Sequence, residues 1–269
     1  MAETHAETEQ ASVSPENLPF VAPCRENLEA LRSLHWLKLG WQDFRRAPGV
    51  SLWYGGFLVL LTYAVGFLTW KLGGYVLILS LMSGFVFIAP VLAIGLYSIS
   101  CQLQSGLKPQ IGYCLREGRR NLGNEMVYSM ILLVIFLLWA RAASMVHVFF
   151  PVEAHPDLQH LATFLLIGSA VGSVFATLVF CASAFSLPMM LDRKVDTVTA
   201  VLSSVNAVLK NKKAMAVWAG LIVTALAFSF ATAFLGLAVL MPVIGYATWH
   251  AYQDTILASD WPSNRPEQA

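Results

Sequence analysis

Five residues in one short stretch are of the types that bind metal: His147, Glu153, His155, Asp157 and His160. Imidazole and carboxylate together suit zinc or copper. Their spacing follows no recognised ligand pattern, and Pro151 and Pro156 break the stretch into turns, so a turn-rich loop without metal is expected. A second polar group, Asp192, Arg193, Lys194 and Asp196, follows directly on Pro188. Neighbouring opposite charges pair locally, and an aspartate ahead of an apolar-periodic run caps a helix. A substrate gate is the competing reading of the same four residues. Arg141 stands inside an apolar run near one end, where its long stem lets the guanidinium snorkel to the headgroups, so a structural anchor is expected there. The sequence holds no His-Glu-x-x-His pair, no glycine-rich phosphate loop and no Gly-x-Ser-x-Gly elbow. Cys24, Cys101, Cys114 and Cys181 lack paired zinc spacing and read as free thiols. The expectation is a chain that is not an enzyme, with no cofactor and no metal.

The elements that carry these residues are apolar. Of 269 residues, 57% are hydrophobic and 12% charged, about half the roughly 25% charged share of a soluble domain. The apolar residues form runs near 20 residues, the length at which a helix rising 1.5 Å per residue crosses a hydrocarbon core of roughly 30 Å. Barrel strands would alternate, and nothing here alternates. The fold class is therefore an all-α membrane protein. Six transmembrane helices are expected at Val50–Trp70, Tyr75–Ile99, Met126–Val146, Leu161–Leu187, Ala214–Thr232 and Phe234–His250, with a tight turn near Ala233–Gly236. Residues 1–23 read as a disordered acidic tail, 24–258 as the membrane domain and 259–269 as a flexible tail.

Charge distribution orients the bundle. Fifteen of the 17 Lys and Arg fall in the N-terminal segment, the loops after spans two and four, and the C-terminal tail, whereas the opposite loops hold Lys71 alone. Lys and Arg excess marks the cytoplasmic side, so both termini face the cytoplasm of a bacterial inner membrane. A net charge of +1 gives no reason to expect nucleic acid. Anionic lipid at the cytoplasmic face is the expected contact.

The six spans read as three hairpins, each preceded by a cytoplasmic amphipathic interfacial helix. In the first, Leu28, Leu31, Leu34, Leu37, Trp41 and Phe44 make an apolar face, with Asp43 among the polar residues opposite. In the third, Val198, Leu202, Val205 and Leu209 do the same, and the middle copy is Pro109–Leu122. Pro90, Pro188 and Pro242 stand near the inner ends of the second helices and free the carbonyls of Val86, Ala184 and Ala238. Turning the chain is the ordinary use of such prolines, and offering carbonyls to a ligand is the alternative. Gly168 and Gly172 form a small-residue motif expected to pack helices within the chain.

Four stretches resemble a known family: Gly40–Gly55 (GWQDFRRAPGVSLWYG), Ser83–Ser100 (SGFVFIAPVLAIGLYSIS), Leu187–Ala200 (LPMMLDRKVDTVTA) and Gly245–Asp254 (GYATWHAYQD). In that order they are similar to bacterial integral membrane proteins grouped as domain of unknown function 2189, over roughly residues 30–257. The resemblance implies the fold and the membrane location and names no reaction. Tyr246 stands where the family is expected to carry a histidine, so a paired role with His250 is not carried over. Some relatives are likened to cytochrome oxidase subunit one, yet a haem–copper centre needs several histidines within helices. Only His147 and His250 lie near spans here, at opposite faces. The expected function is a non-catalytic protein that binds a membrane partner or organises a complex. A small-molecule permease or lipid-handling protein is the alternative, because transporters are often built from repeated hairpins.

Overall fold

The computed structural model describes residues 19–72, 92–112, 122–149 and 158–264. Eight helices carry the fold: α1 (Arg32–Arg46), α2 (Pro48–Leu72), α3 (Leu122–Phe149), α4 (Leu158–Ser183), α5 (Ser186–Asp192), α6 (Thr197–Lys210), α7 (Lys212–Ala231) and α8 (Leu237–Thr255). Residues 92–104 are also helical. Among the described residues there is no strand, only two isolated bridges, Cys24 to Ile256 and Arg193 to Ser263.

Among the described residues four helical stretches are long and apolar enough to cross a bilayer: Pro48–Lys71, Leu122–Val146, Ala162–Asp192 and Lys212–Ala231. They coincide with the first, third, fourth and fifth expected spans. Leu60, Phe67, Leu138, Leu166 and Val223 on them are exposed, and side chains of that kind are stable outward only where the solvent is lipid. Most of the second expected span, with Pro90, lies outside the described residues. The sixth expected span falls on α8, which is not among the four. α8 has the length, but Tyr246, Thr248, Trp249, His250, Tyr252 and Gln253 fill its second half, and that half is buried in protein.

The turn between α7 and α8 occupies Thr232–Gly236, where it was expected. Ala233 and Phe234 adopt left-handed backbone, with φ of 49° and 64°. The Phe234 amide donates to the Ser229 carbonyl at 2.6 Å, closing the end of α7.

α1 and α6 fall where the first and third amphipathic helices are expected, with part of each apolar face turned outward. α1 buries Ser33, Trp36, Gly40, Asp43 and Phe44, while Leu31, Leu34 and Trp41 face outward. α6 buries Ala200, Ser203, Ser204 and Ala207 and exposes Val198, Leu202 and Leu209. Small residues let backbones approach, so they take the inner face, and the leucine stripe is left for the surroundings. Asp43, expected on the polar outer face, is 2% exposed. The middle copy, Pro109–Leu122, falls largely outside the described residues.

The described residues nearest each terminus pack on one another and on the helices. The Ala22 amide donates to Ser203 Oγ at 2.8 Å, and the Leu257 amide to the Pro23 carbonyl at 2.9 Å. The expected flexible tail from residue 259 begins instead as packed chain. Trp261 is buried, and the Asn264 amide donates to the Asp192 carbonyl at 2.8 Å. A buried indole and a paired backbone hold these residues in place.

Candidate functional site

The second half of α8 is where the structure gathers its buried polar residues, and three close helix contacts put it there. A Cβ on Gly40 of α1 would stand 2.5 Å from the Val243 carbonyl oxygen and 2.7 Å from the Ala247 amide nitrogen. A Cβ on Gly245 would stand 2.7 Å from Leu96 Cβ, and one on Gly55 of α2 would fall on the Ala238 carbonyl. Only glycine permits approaches this close. The Ala238 carbonyl is the one that Pro242 frees, so in the fold it faces α2 and not a ligand.

Asp43 lies at the centre of the first group. Its Oδ2 accepts from Ser100 Oγ at 2.7 Å and lies 2.7 Å from His250 Nε2, while Arg46 Nη1 reaches Oδ1 at 3.5 Å. Beside it, Ser51 Oγ and Tyr246 Oη are 2.8 Å apart, and Trp249 Nε1 donates to Gln104 Oε1 at 3.0 Å. Serine, aspartate and histidine meet here, but the hydroxyl bonds the carboxylate. A nucleophile relay needs the hydroxyl on the imidazole, so this order serves to fix helices and not to activate Ser100.

Two more carboxylates clamp the same helix. Asp254 accepts from Arg32 Nε at 2.6 Å, Arg32 Nη2 at 2.9 Å, Arg25 Nη1 at 2.9 Å and Trp36 Nε1 at 2.8 Å. Burial pushes the Asp254 carboxyl up, but the Arg32 and Trp36 hydrogen bonds and the two guanidinium charges outweigh it and hold it below the usual range. Asp192 Oδ2 accepts from Tyr252 Oη at 2.9 Å, Arg193 Nε at 3.1 Å and Gln253 Nε2 at 3.3 Å. Burial and then the Asp192 charge keep the Tyr252 hydroxyl well above the ordinary tyrosine range, so it stays a donor.

Residues 77–192 match the family model described as predicted integral membrane protein (DUF2189). No curated protein and no solved structure matches the chain. The DUF2189 match takes in Ser100 and Asp192 and leaves Asp43, His250 and Tyr252 outside it. The hydrogen bonds above therefore complete the DUF2189 segment with flanking chain from both sides. All four stretches that carry the resemblance contribute to this one core.

The other positions singled out in the sequence land apart from it. Pro188 is the third residue of α5, in a first turn whose amides have no intrahelical partner, so it breaks no hydrogen bond. The break before α5 is closed by Ser204, which accepts from the Phe185 amide at 3.1 Å and donates to the Cys181 carbonyl at 2.7 Å. Asp196 caps α6, accepting from the Thr199 amide at 3.0 Å. Arg141 is exposed on α3 and takes no part in the hydrogen bonds above. Of the metal-type cluster, Glu153, His155, Asp157 and the side chains of His147 and His160 lie outside the described residues. Among the described residues no three His, Cys, Asp or Glu converge as metal ligands, and Cys24 and Cys181 are free thiols.

Sequence reasoning missed Asp43, Ser100 and Asp254 as core residues, and also Glu125. Glu125 is 2% exposed in the first turn of α3, and neither carboxylate oxygen has a hydrogen-bond partner. A four-residue offset to Ser129, also buried, was the available signal, since it puts two polar groups on one inward face.

Proposed function

We propose that this chain is a non-catalytic membrane protein that binds a membrane partner or organises a complex. One observation carries the reading: three carboxylates of the polar core, Asp43, Asp192 and Asp254, are engaged with other parts of the fold. Asp43 joins α1 to α8 and to residues 92–104, Asp192 joins α5 to α8, and Asp254 joins α8 to α1. Groups so engaged hold helices together and are not held ready for a substrate proton. We further propose six spans in three hairpins, an inner-membrane location in bacteria and cytoplasmic termini. The outward leucine stripes of α1 and α6, beside exposed Arg45, Arg46, Lys212 and Lys213, support a position at the interface of an anionic cytoplasmic leaflet.

Affinity purification of the full chain from native membranes tests the scaffold reading. A stoichiometric protein partner, retained in Asp43→Asn protein that still folds, is the expected result. Purification of the chain alone, with uptake or release of a solute when it is placed in vesicles, would favour the permease reading. Against that reading stands the Ala238 carbonyl, covered by α2.

A further inference from the structure

A crevice of about 1100 Å³ opens between α3, α4 and α7. Its walls are apolar, with Trp139 on α3, Gly172 and Ala176 on α4, and Ala219 and Leu226 on α7. Small residues set its width. Among the described residues no helix packs closely on the Gly168–Gly172 pair, expected to pack helices within the chain: a Cβ on Gly168 would meet nothing within 4 Å, and one on Gly172 only Trp139 Nε1 at 4.0 Å. The single charged residue among those lining the crevice is Lys212, the first residue of α7. Lys212 is exposed, and among the described residues no acidic side chain pairs with it.

Length and charge together indicate the occupant. From Lys212 to Leu226 the helix rises about 21 Å at 1.5 Å per residue. One leaflet of hydrocarbon is about 15 Å deep, half of a roughly 30 Å core. A fatty chain that starts at Lys212 therefore has wall along its whole depth. The walls offer a polar solute little: the Ser173 and Thr177 hydroxyls already donate to backbone carbonyls of α4, and the Trp139 indole stands beside them, whereas a lone ammonium at the mouth matches a phosphate without a second positive charge beside it.

We propose that this crevice is a binding site for one anionic phospholipid, with its phosphate at Lys212 and an acyl chain lying between α4 and α7. The inference rests on the bilayer placement proposed above and goes beyond general attraction to a charged leaflet.

The test uses the full chain in vesicles containing phosphatidylglycerol or phosphatidylcholine with brominated acyl chains. Bromine quenches nearby tryptophan, and the Trp139 signal is the difference between wild type and Trp139→Phe. Half-quenching is expected at about fivefold less phosphatidylglycerol than phosphatidylcholine, the weight of one lysine near an anionic group. Lys212→Gln should abolish the preference, whereas Lys213→Gln, one residue along and outside the crevice, should keep it. Ala219→Leu should reduce quenching by both lipids. Equal half-quenching by the two lipids in wild type would overturn the proposal. Equal loss of preference in Lys212→Gln and Lys213→Gln would overturn it too, while leaving the surface attraction standing. A disulfide between two Gly172→Cys chains would give the crevice to a second copy, and one between Ala219→Cys and Ser83→Cys would give it to the chain's own segment. Either result ends the lipid assignment.

Discussion

Gly55 on α2 and the Ala238 carbonyl on α8 are packed so closely that a methyl group on Gly55 would clash with the carbonyl oxygen. Pro242 lies four residues after Ala238 and has no amide hydrogen to offer that carbonyl. The freed oxygen is instead covered by a neighbouring helix at the one position on α2 where side-chain bulk is absent. Weak contacts of the Cα–H···O kind suit such an arrangement.

Adjacent glycines should then respond in opposite ways. Gly55→Ala is expected to lower stability by about 1–3 kcal/mol through overpacking against backbone that cannot give. Gly56→Ala, where nothing lies within 4 Å, should be neutral or raise stability by roughly 0.5–1 kcal/mol through helix propensity. Thermal unfolding of the purified variants in one detergent makes the comparison. A similar loss in both would mean that the α2–α8 contact is looser than described.

Asp43 and His250 should be energetically coupled. Asp43→Ala leaves the Ser100 hydroxyl and the imidazole without their shared acceptor, a cost of about 1–3 kcal/mol for each group stranded in the interior. In a double-mutant cycle with His250→Ala, the second change should cost about 1 kcal/mol less once the first is made. Strict additivity would show that the two side chains do not share a bond in the membrane.

Acid should loosen the junction of α1 with α8. The Asp254 carboxyl is lowered on balance by Arg32, Trp36 and Arg25 despite its burial. A lowered carboxyl contributes stability above its ordinary value near 3.9, and that contribution is lost as pH falls through the folded value. Wild-type stability should accordingly be level in this respect above about pH 4 and decline below it. Asp254→Asn should be less stable at neutral pH and show a shallower decline in acid, read by Trp36 fluorescence against pH.

Reporter fusions address the proposed topology. Fusions at Gly236 and Asp157 should report the periplasm, and those at Lys210 and Gly106 the cytoplasm. A cytoplasmic signal at Gly236 would keep α7 and α8 from forming a spanning hairpin and would reduce the proposed count.

Arg141 should behave as an anchor. Arg141→Lys keeps a snorkelling charge and should preserve the yield of monodisperse protein, whereas Arg141→Glu should lower it. Normal yield for the lysine variant together with lost partner binding would indicate a need for the planar guanidinium fork.

The four long apolar helices were legible because a lipid-facing helix must write its apolar character in consecutive residues. The inward faces of α1 and α6 were not. Leucines spaced three and four apart mark a face for apolar surroundings, and nothing in that spacing shows that Ser33, Gly40, Ser203 and Ala207 make the contacts within the fold. Polar partners were harder still. Asp43 and His250 lie 207 residues apart, and no local pattern links them. Asp192 was singled out for its neighbours Arg193 and Lys194, yet Tyr252 and Gln253 come from the far end of the chain. Trp261 was assigned to a tail because its surroundings in sequence are polar, and its burial depends on α5 and α8 already being in place.

The contact between Trp36 and Asp254 spans 218 residues, and it sets a timetable for biosynthesis. At roughly 5–20 residues per second, translation takes about 10–45 s to travel from the indole to its acceptor. Through that interval α1 has been made and the helix it packs against has not. Nascent chains stalled or truncated before Asp254 present Trp36 and Gly40 without their neighbours, a surface that chaperones and membrane proteases recognise by its exposed apolar face. Synthesis of α8 is therefore the event that lets Trp36 and Gly40 be covered.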